Sequence, residues 1–246
     1  MSDTRFVILA APRTGSNYLC TLLNSHPEIL CHHELFNPRG IFYALDHRDG
    51  FIDLGSVADR DRRPLEFLQD VWLAGAGSTC TGFKMTRDQD DIVIRHLLDD
   101  AAVLKIVLRR RNRLKTFVSQ LIAEQTDRWE AYDRTELPHD VGKVRVDVAS
   151  LKAHVARNEL FYESILRPLR APRQRFIEVM YEELHFRSEH HRLLTFLGVK
   201  AIHEPLSSSS VKQNPCDLRA VIANFAEVES ELRGSEYADE LHDVLT

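Results

Sequence analysis

The chain has 246 residues, 43% of them hydrophobic and 28% charged, which is the balance of a globular protein with a buried core. Its 32 basic residues are outnumbered by 37 acidic ones, for a net charge of -5. This excludes a disordered tail or low-complexity fibre and argues against a general binder of nucleic acid or membrane surfaces. Any anion must be met by a local basic cluster. No apolar run of about 18 residues is present, so no membrane span is expected. Cys20, Cys31, Cys80 and Cys216 follow no disulfide or zinc spacing and read as reduced, mostly buried thiols of a cytoplasmic protein.

In chain order, a short β-branched strand is expected at 5–11, then a helix at 16–24. A polar stretch at 39–63 carries HRDG and DRDRR and few core signals. A helix at 65–74, a strand at 80–85, a helix at 90–98, a strand at 103–108 and a helix at 113–125 follow. Residues 126–140 form a second polar excursion. Residues 143–148 alternate apolar and polar, the pattern of an edge strand. A helix at 150–169, a strand at 175–180, a helix at 189–197, a serine run at 207–210 and a helix at 218–233 complete the pattern. Short strands alternating with helices predict one α/β domain over 1–246: three layers, with a central mostly parallel sheet and helices on both faces. The excursions at 39–63 and 126–140 read as lids or substrate loops.

Two segments carry chemistry. Pro12-Arg13-Thr14-Gly15-Ser16-Asn17 is a tight turn between a buried strand and a helix start. Gly15 permits a backbone that a side chain opposes, and Ser16 and Asn17 can cap the free amides. Converging N–H groups and the helix dipole suit an anion there. A Walker A loop is excluded, because Arg13 precedes a single glycine and no lysine follows it. The second segment holds Lys105, Arg109, Arg110, Arg111, Arg113 and Lys115 with no acid among them. Two anion sites at two strand ends suit a nucleotide with separated phosphates. A well-capped turn and a solvated cationic turn are the simpler alternatives.

PRTGSNYL resembles the 5′-phosphosulfate loop of sulfotransferases that use 3′-phosphoadenosine 5′-phosphosulfate (PAPS). Arg111-Asn112 with Ser119 resembles that family's 3′-phosphate motif. The segment through HHELF, and VKQNPCDLRAVIANFAEVESEL later, are most similar to the bacterial trehalose and nodulation-factor (lipo-oligosaccharide) sulfotransferases. The resemblance implies a P-loop-like fold with PAPS as donor and PAP as product. It implies that Pro12, Arg13, Thr14, Gly15, Ser16 and Asn17 hold the 5′-phosphosulfate, with Arg13 on the leaving oxygen. Arg111 and Ser119 would hold the 3′-phosphate, Lys212 and Gln213 would cover the nucleotide, and Tyr18 matches an aromatic position that contacts adenine.

The same resemblance makes Glu34 the general base. The histidine that many relatives carry two residues after Lys84 is Thr86 here. A carboxylate in a closed apolar site has a raised pKa suited to that role. His32 and His33 are the competing bases, and Lys84 is a candidate contact of the sulfuryl group. No metal is expected, since Cys31, His32, His33 and Glu34 match no metal-ligand spacing. His185, His190 and His191 read as a solvated face. Trp129 and Tyr132 could stack on a sugar or pack a lid. The expected partner is a small-molecule or glycolipid acceptor, without nucleic acid, and a homodimer stays open. A phosphotransferase and a non-catalytic nucleotide-binding protein of the same fold remain as alternatives.

Overall fold

The computed structural model describes residues 4–48, 53–75, 77–133, 135, 142–213, 215 and 217–242. Parts of both excursions and Cys216 therefore lie outside the described residues. Five strands, β1 (Thr4–Ala10), β2 (Ile29–His32), β3 (Cys80–Thr86), β4 (Val103–Arg109) and β5 (Phe176–Met180), form one sheet in the order β2-β3-β1-β4-β5. All the pairings are parallel.

The strands are apolar on both sides because both sides are covered. Val7, Leu9, Phe83, Met85 and Val107 pack under α3 (Pro64–Ala74), α4 (Asp91–Asp99) and α6 (Val148–Leu169). Phe6, Ile8, Leu104, Ile106 and Leu108 pack under α1 (Ser16–Asn24) and α7 (Arg187–Leu197). A third cluster joins α5 (Arg113–Thr126) and the start of α6 to the C-terminal helix α8 (Phe225–Leu232). The remaining helix, α2 (Val57–Arg62), lies within the first excursion.

After β1 the chain runs to the β2 side of the sheet; after β4 it runs to β5. The loops that follow β1 and β4 therefore flank the switch point, where open parallel sheets bind ligands. Tyr162 of α6 ties those two strand ends together. Its buried hydroxyl donates to the Leu108 carbonyl at 2.8 Å and accepts from the Ala11 N–H at 3.0 Å.

Two expectations are corrected. Residues 143–148 do not join the sheet; Val144 makes an isolated bridge to Ile222. Their alternating valines are buried against the C-terminal segment instead, and Asp147 caps α6 by accepting from the Ser150 N–H. The helix expected at 218–233 is broken into a 3-10 turn, Leu218–Ala220, and α8. Asn224 lies between them and bonds the backbone of Val146 in both directions. The four-residue strand β2 and the short helix α2 were not expected at all. The serine run is tied down as well, with Ser208 against Thr21 at 2.6 Å and the Ser207 N–H on Ser25 at 3.1 Å. Cys20, Cys31 and Cys80 are free and buried. No helix of the described residues is long and apolar enough to cross a membrane.

Candidate active site

A cleft of about 1070 Å³ opens beyond the carboxyl ends of the strands. Pro12, Arg13, Gly15, Ser16 and Asn17 line it from the first loop, with Arg110, Lys115 and Ser119 from the second. Glu34, Lys84, Lys212 and Gln213 complete the set. An acidic chain thus gathers its cations locally.

Gly15 caps α1 with φ at 91°, and no side chain caps that helix start. This corrects the capping role expected of Ser16 and Asn17, whose side-chain oxygens accept from Lys84 instead. The first N–H groups of α1 remain as donors for an anion. A Cβ at Gly15 would stand 2.1 Å from the Tyr181 ring, so the ring seals the loop only because the residue is glycine. Arg110 lies over the other part of this wall, 4.8 Å from the Tyr181 centroid, and donates to the Arg13 carbonyl. Thr14 turns inward to the Ala11 carbonyl at 2.8 Å and shapes the turn.

Arg13 does not project over its own loop. Its backbone is left-handed, with φ at 64°. Its guanidinium donates to Ser119 Oγ at 2.9 Å, the Trp129 carbonyl at 2.6 Å and Gln213 Oε1 at 2.5 Å. Three residues expected at the nucleotide are thus brought together: Arg13, Ser119 and Gln213. Burial, then Arg110, lower the Arg13 pKa to about 10, so it stays a cation at neutral pH. Arg111 is not brought in. Its guanidinium pairs with Glu183 and it does not line the cleft. Besides Arg110, the first loop is reached by Lys84, 3% exposed, which donates to Ser16 Oγ at 3.3 Å and to Asn17 Oδ1.

Lys84 also donates to Glu34 Oε1 at 2.7 Å. Strands β2 and β3 run in register, with His32 opposite Phe83, so His33 falls level with Lys84, whose N–H donates to the His33 carbonyl at 3.2 Å, and Glu34 follows just beyond the end of β2, within reach of the Lys84 ammonium. Glu34 Oε2 accepts from Asn37 at 2.5 Å and Gln89 at 2.8 Å. Burial pushes the Glu34 carboxyl up, but the Lys84 charge and the donated hydrogen bonds outweigh it, so the net direction is down. The raised pKa expected from an apolar site is corrected by its three donors. Glu34 is an ionised, oriented carboxylate.

His33 is 1% exposed, and burial and Lys84 push it down to about 2, so it is neutral. Its Nδ1 faces Asn17 Oδ1 at 3.3 Å and the Tyr132 oxygen at 3.2 Å. Asn17 Oδ1 already accepts from Lys84, and the Tyr132 hydroxyl already donates to Glu130, so Nδ1 carries the proton. His32, pushed by burial to about 4, accepts from the Ala44 N–H and is structural. His185 is not simply solvated; it lines the cleft and bonds the Tyr18 hydroxyl at 3.2 Å. Tyr18 itself packs edge-on to Tyr181. Trp129 lines the cleft beneath the Arg39 guanidinium, while Tyr132 does not line it and props His33.

Sequence reasoning missed Arg60. The DRDRR string reads as solvated, yet Arg60 is 2% exposed. Its guanidinium donates to the carbonyls of Leu35, Asn37 and Gly40 at 2.8–2.9 Å and so shapes the loop after Glu34. Gln89 and Asn37 were missed too, since their role arises only when turns bring them onto Glu34. Among the described residues no group of His, Cys, Asp and Glu is arranged to hold a metal ion.

No family model matches the chain. It is 29% identical over 245 residues to nodulation protein H of Rhizobium tropici, covering 96% of this chain and 92% of that protein. It is 28% identical over 239 residues to nodulation protein H of Rhizobium meliloti strain 1021, covering 95% and 93%. Among solved structures it is similar to a sulfotransferase from Alicyclobacillus acidocaldarius, at 15% identity and a TM-score of 0.49, covering 100% of this chain and 96% of that one.

Proposed function

We propose that this relative of nodulation protein H is a sulfotransferase that moves a sulfuryl group from PAPS to a hydroxyl of a carbohydrate or lipo-oligosaccharide acceptor. The observation that carries the reading is the position of Lys84. One buried ammonium touches both the anion loop, at Ser16 and Asn17, and the candidate base, Glu34. Donor and acceptor sides of an in-line displacement meet at that group.

The residues present fit a two-phosphate nucleotide. The sealed glycine turn and the uncapped start of α1 suit the 5′ end. Ser119, Arg13 and Gln213 cluster where a second anion would be held, and Lys115 and Lys212 line the same cleft. Arg111 joins them by exchanging the Glu183 carboxylate for phosphate.

In the reaction the acceptor oxygen forms a bond to sulfur as the bond from sulfur to the 5′-phosphate oxygen breaks. Glu34 takes the acceptor's proton, and the loop amides with Lys84 stabilise the charge on the leaving phosphate. Glu34 is held near its lysine until the sulfuryl oxygens compete for that ammonium. A phosphotransferase reading lacks its lysine after the loop glycine, where Ser16 and Asn17 stand.

The test is turnover with radiolabelled PAPS and a carbohydrate panel. Glu34→Gln should lower turnover by about 10²–10⁴-fold with PAP affinity unchanged, while His33→Asn costs much less. Near-normal turnover in folded Glu34→Gln removes Glu34 as the base. Activity that needs added magnesium would favour the phosphotransferase.

A further inference from the structure

Gln89 stands in the turn between β3 and α4, directly against the candidate base. Asp88, with φ at 72°, reverses the chain, and the Gln89 N–H returns to the Thr86 carbonyl at 3.3 Å. The side chain is 8% exposed and lines the cleft. Its amide nitrogen donates to Glu34 Oε2 at 2.8 Å and to Thr86 Oγ1 at 3.0 Å. An ionised carboxylate accepts and never donates, so the amide cannot be turned over. Oε1 is thereby fixed away from Glu34, and among the described residues it has no hydrogen-bond partner. A buried carbonyl oxygen left unpaired costs about 1–3 kcal/mol. Such an atom beside a reactive group calls for an explanation.

We infer that Gln89 is a specificity-determining residue that accepts a hydrogen bond from a second donor on the acceptor, next to the hydroxyl that Glu34 deprotonates. The inference rests on the sulfotransferase reading and adds to it the chemical demand made by the acceptor site. Two features agree. His33, the residue before Glu34, also lines the cleft, and its Nε2 is a second buried atom without a partner. With the proton on Nδ1, that nitrogen carries a lone pair. Both unpartnered atoms around the carboxylate therefore accept, and neither donates. A monoalcohol leaves them unpaired, whereas a vicinal diol or hydroxy-amide supplies the missing donor. The site selects its acceptor through the penalty on the wrong one.

The experiment uses the full chain, radiolabelled PAPS, methyl glucoside and its four monodeoxy analogues. Each analogue lacks one hydroxyl. Removal of the hydroxyl next to the sulfated one should lower kcat/KM by about 10–100-fold, the range of one hydrogen bond to an otherwise unpaired group. Gln89→Leu should be poor on the parent sugar and show no further loss on that analogue. PAP affinity should be unchanged, and Gln89→His, which keeps a donor and an acceptor, should recover part of the discrimination. A purely structural Gln89 would lower all acceptors alike and leave the ratio intact, overturning the inference. Equal rates on every analogue that keeps the reacting hydroxyl, or no transfer to methyl glucoside by a protein that binds PAP, would also overturn it. Failure to bind PAP would instead overturn the sulfotransferase reading.

Discussion

Lys84 and Glu34 meet in a 2.7 Å ion pair whose side chains are only 4% and 19% exposed. The pair fixes the protonation state of the candidate base. Burial alone would raise the Glu34 pKa; Lys84 supplies the largest opposing influence, as a charge and then as a hydrogen-bond donor. In Lys84→Met the burial remains and the charge is gone. The acid limb of the kcat/KM profile should then move from below the ordinary carboxylate value of 4.5 to above it. Turnover should fall as well, because the leaving phosphate loses its cation. A pH–rate profile of both proteins checks this, and an unmoved acid limb would separate Glu34 from Lys84.

Gly15 is held to glycine twice over, by its positive φ and by the Tyr181 ring. A non-glycine residue in that region costs about 1–2 kcal/mol before any overlap is counted. Gly15→Ala should lower stability by more than about 2 kcal/mol and abolish detectable PAP binding. Adding Tyr181→Ala relieves the overlap but not the backbone, so binding returns only in part. Thermal unfolding and calorimetric titration of the two variants check both statements.

Arg60 reaches its loop from a helix that carries no residue of the cleft. Arg60→Met keeps the length of the side chain but removes the guanidinium from the carbonyls of Leu35, Asn37 and Gly40, of which Asn37 keeps the Gly40 N–H as a donor. Loss of one buried partner costs about 1–3 kcal/mol, so urea unfolding should show a loss of at least about 3 kcal/mol. Turnover should fall through the displaced Glu34–Asn37 loop, with PAP affinity retained. A change within about 1 kcal/mol would show that the loop holds itself.

The two candidate anion loops stood out in the sequence because each is a local object. A strand end, a glycine and a helix start lie within a dozen residues, and the basic block is contiguous. Glu34 was singled out through resemblance and Lys84 only as a candidate contact of the sulfuryl group; their pairing was not legible, since it depends on β2 lying beside β3. Strand β2 is four residues long, too short for a periodicity to mark. Arg60 and Gln89 were illegible for the same kind of reason. An arginine in a charged string reads as solvated until three carbonyls fold around it. A glutamine in a turn says nothing until Asp88 reverses the chain beneath it. Arg111 gave the opposite lesson: its position in the motif does not fix where its guanidinium goes, and Glu183 holds it away from the cleft.

A nucleotide carrying both a 5′- and a 3′-phosphate should fill the cleft, and calorimetric titration with PAP against 5′-AMP measures this. Charge-assisted hydrogen bonds from Arg13 and Arg111, with the Ser119 hydroxyl, should make PAP bind at least about 10-fold tighter, which is about 1.4 kcal/mol. Ser119→Ala and Arg111→Ala should each shrink that gap, and Glu183→Gln should widen it by releasing Arg111. Equal affinity of the unmodified protein for the two nucleotides would contradict the account.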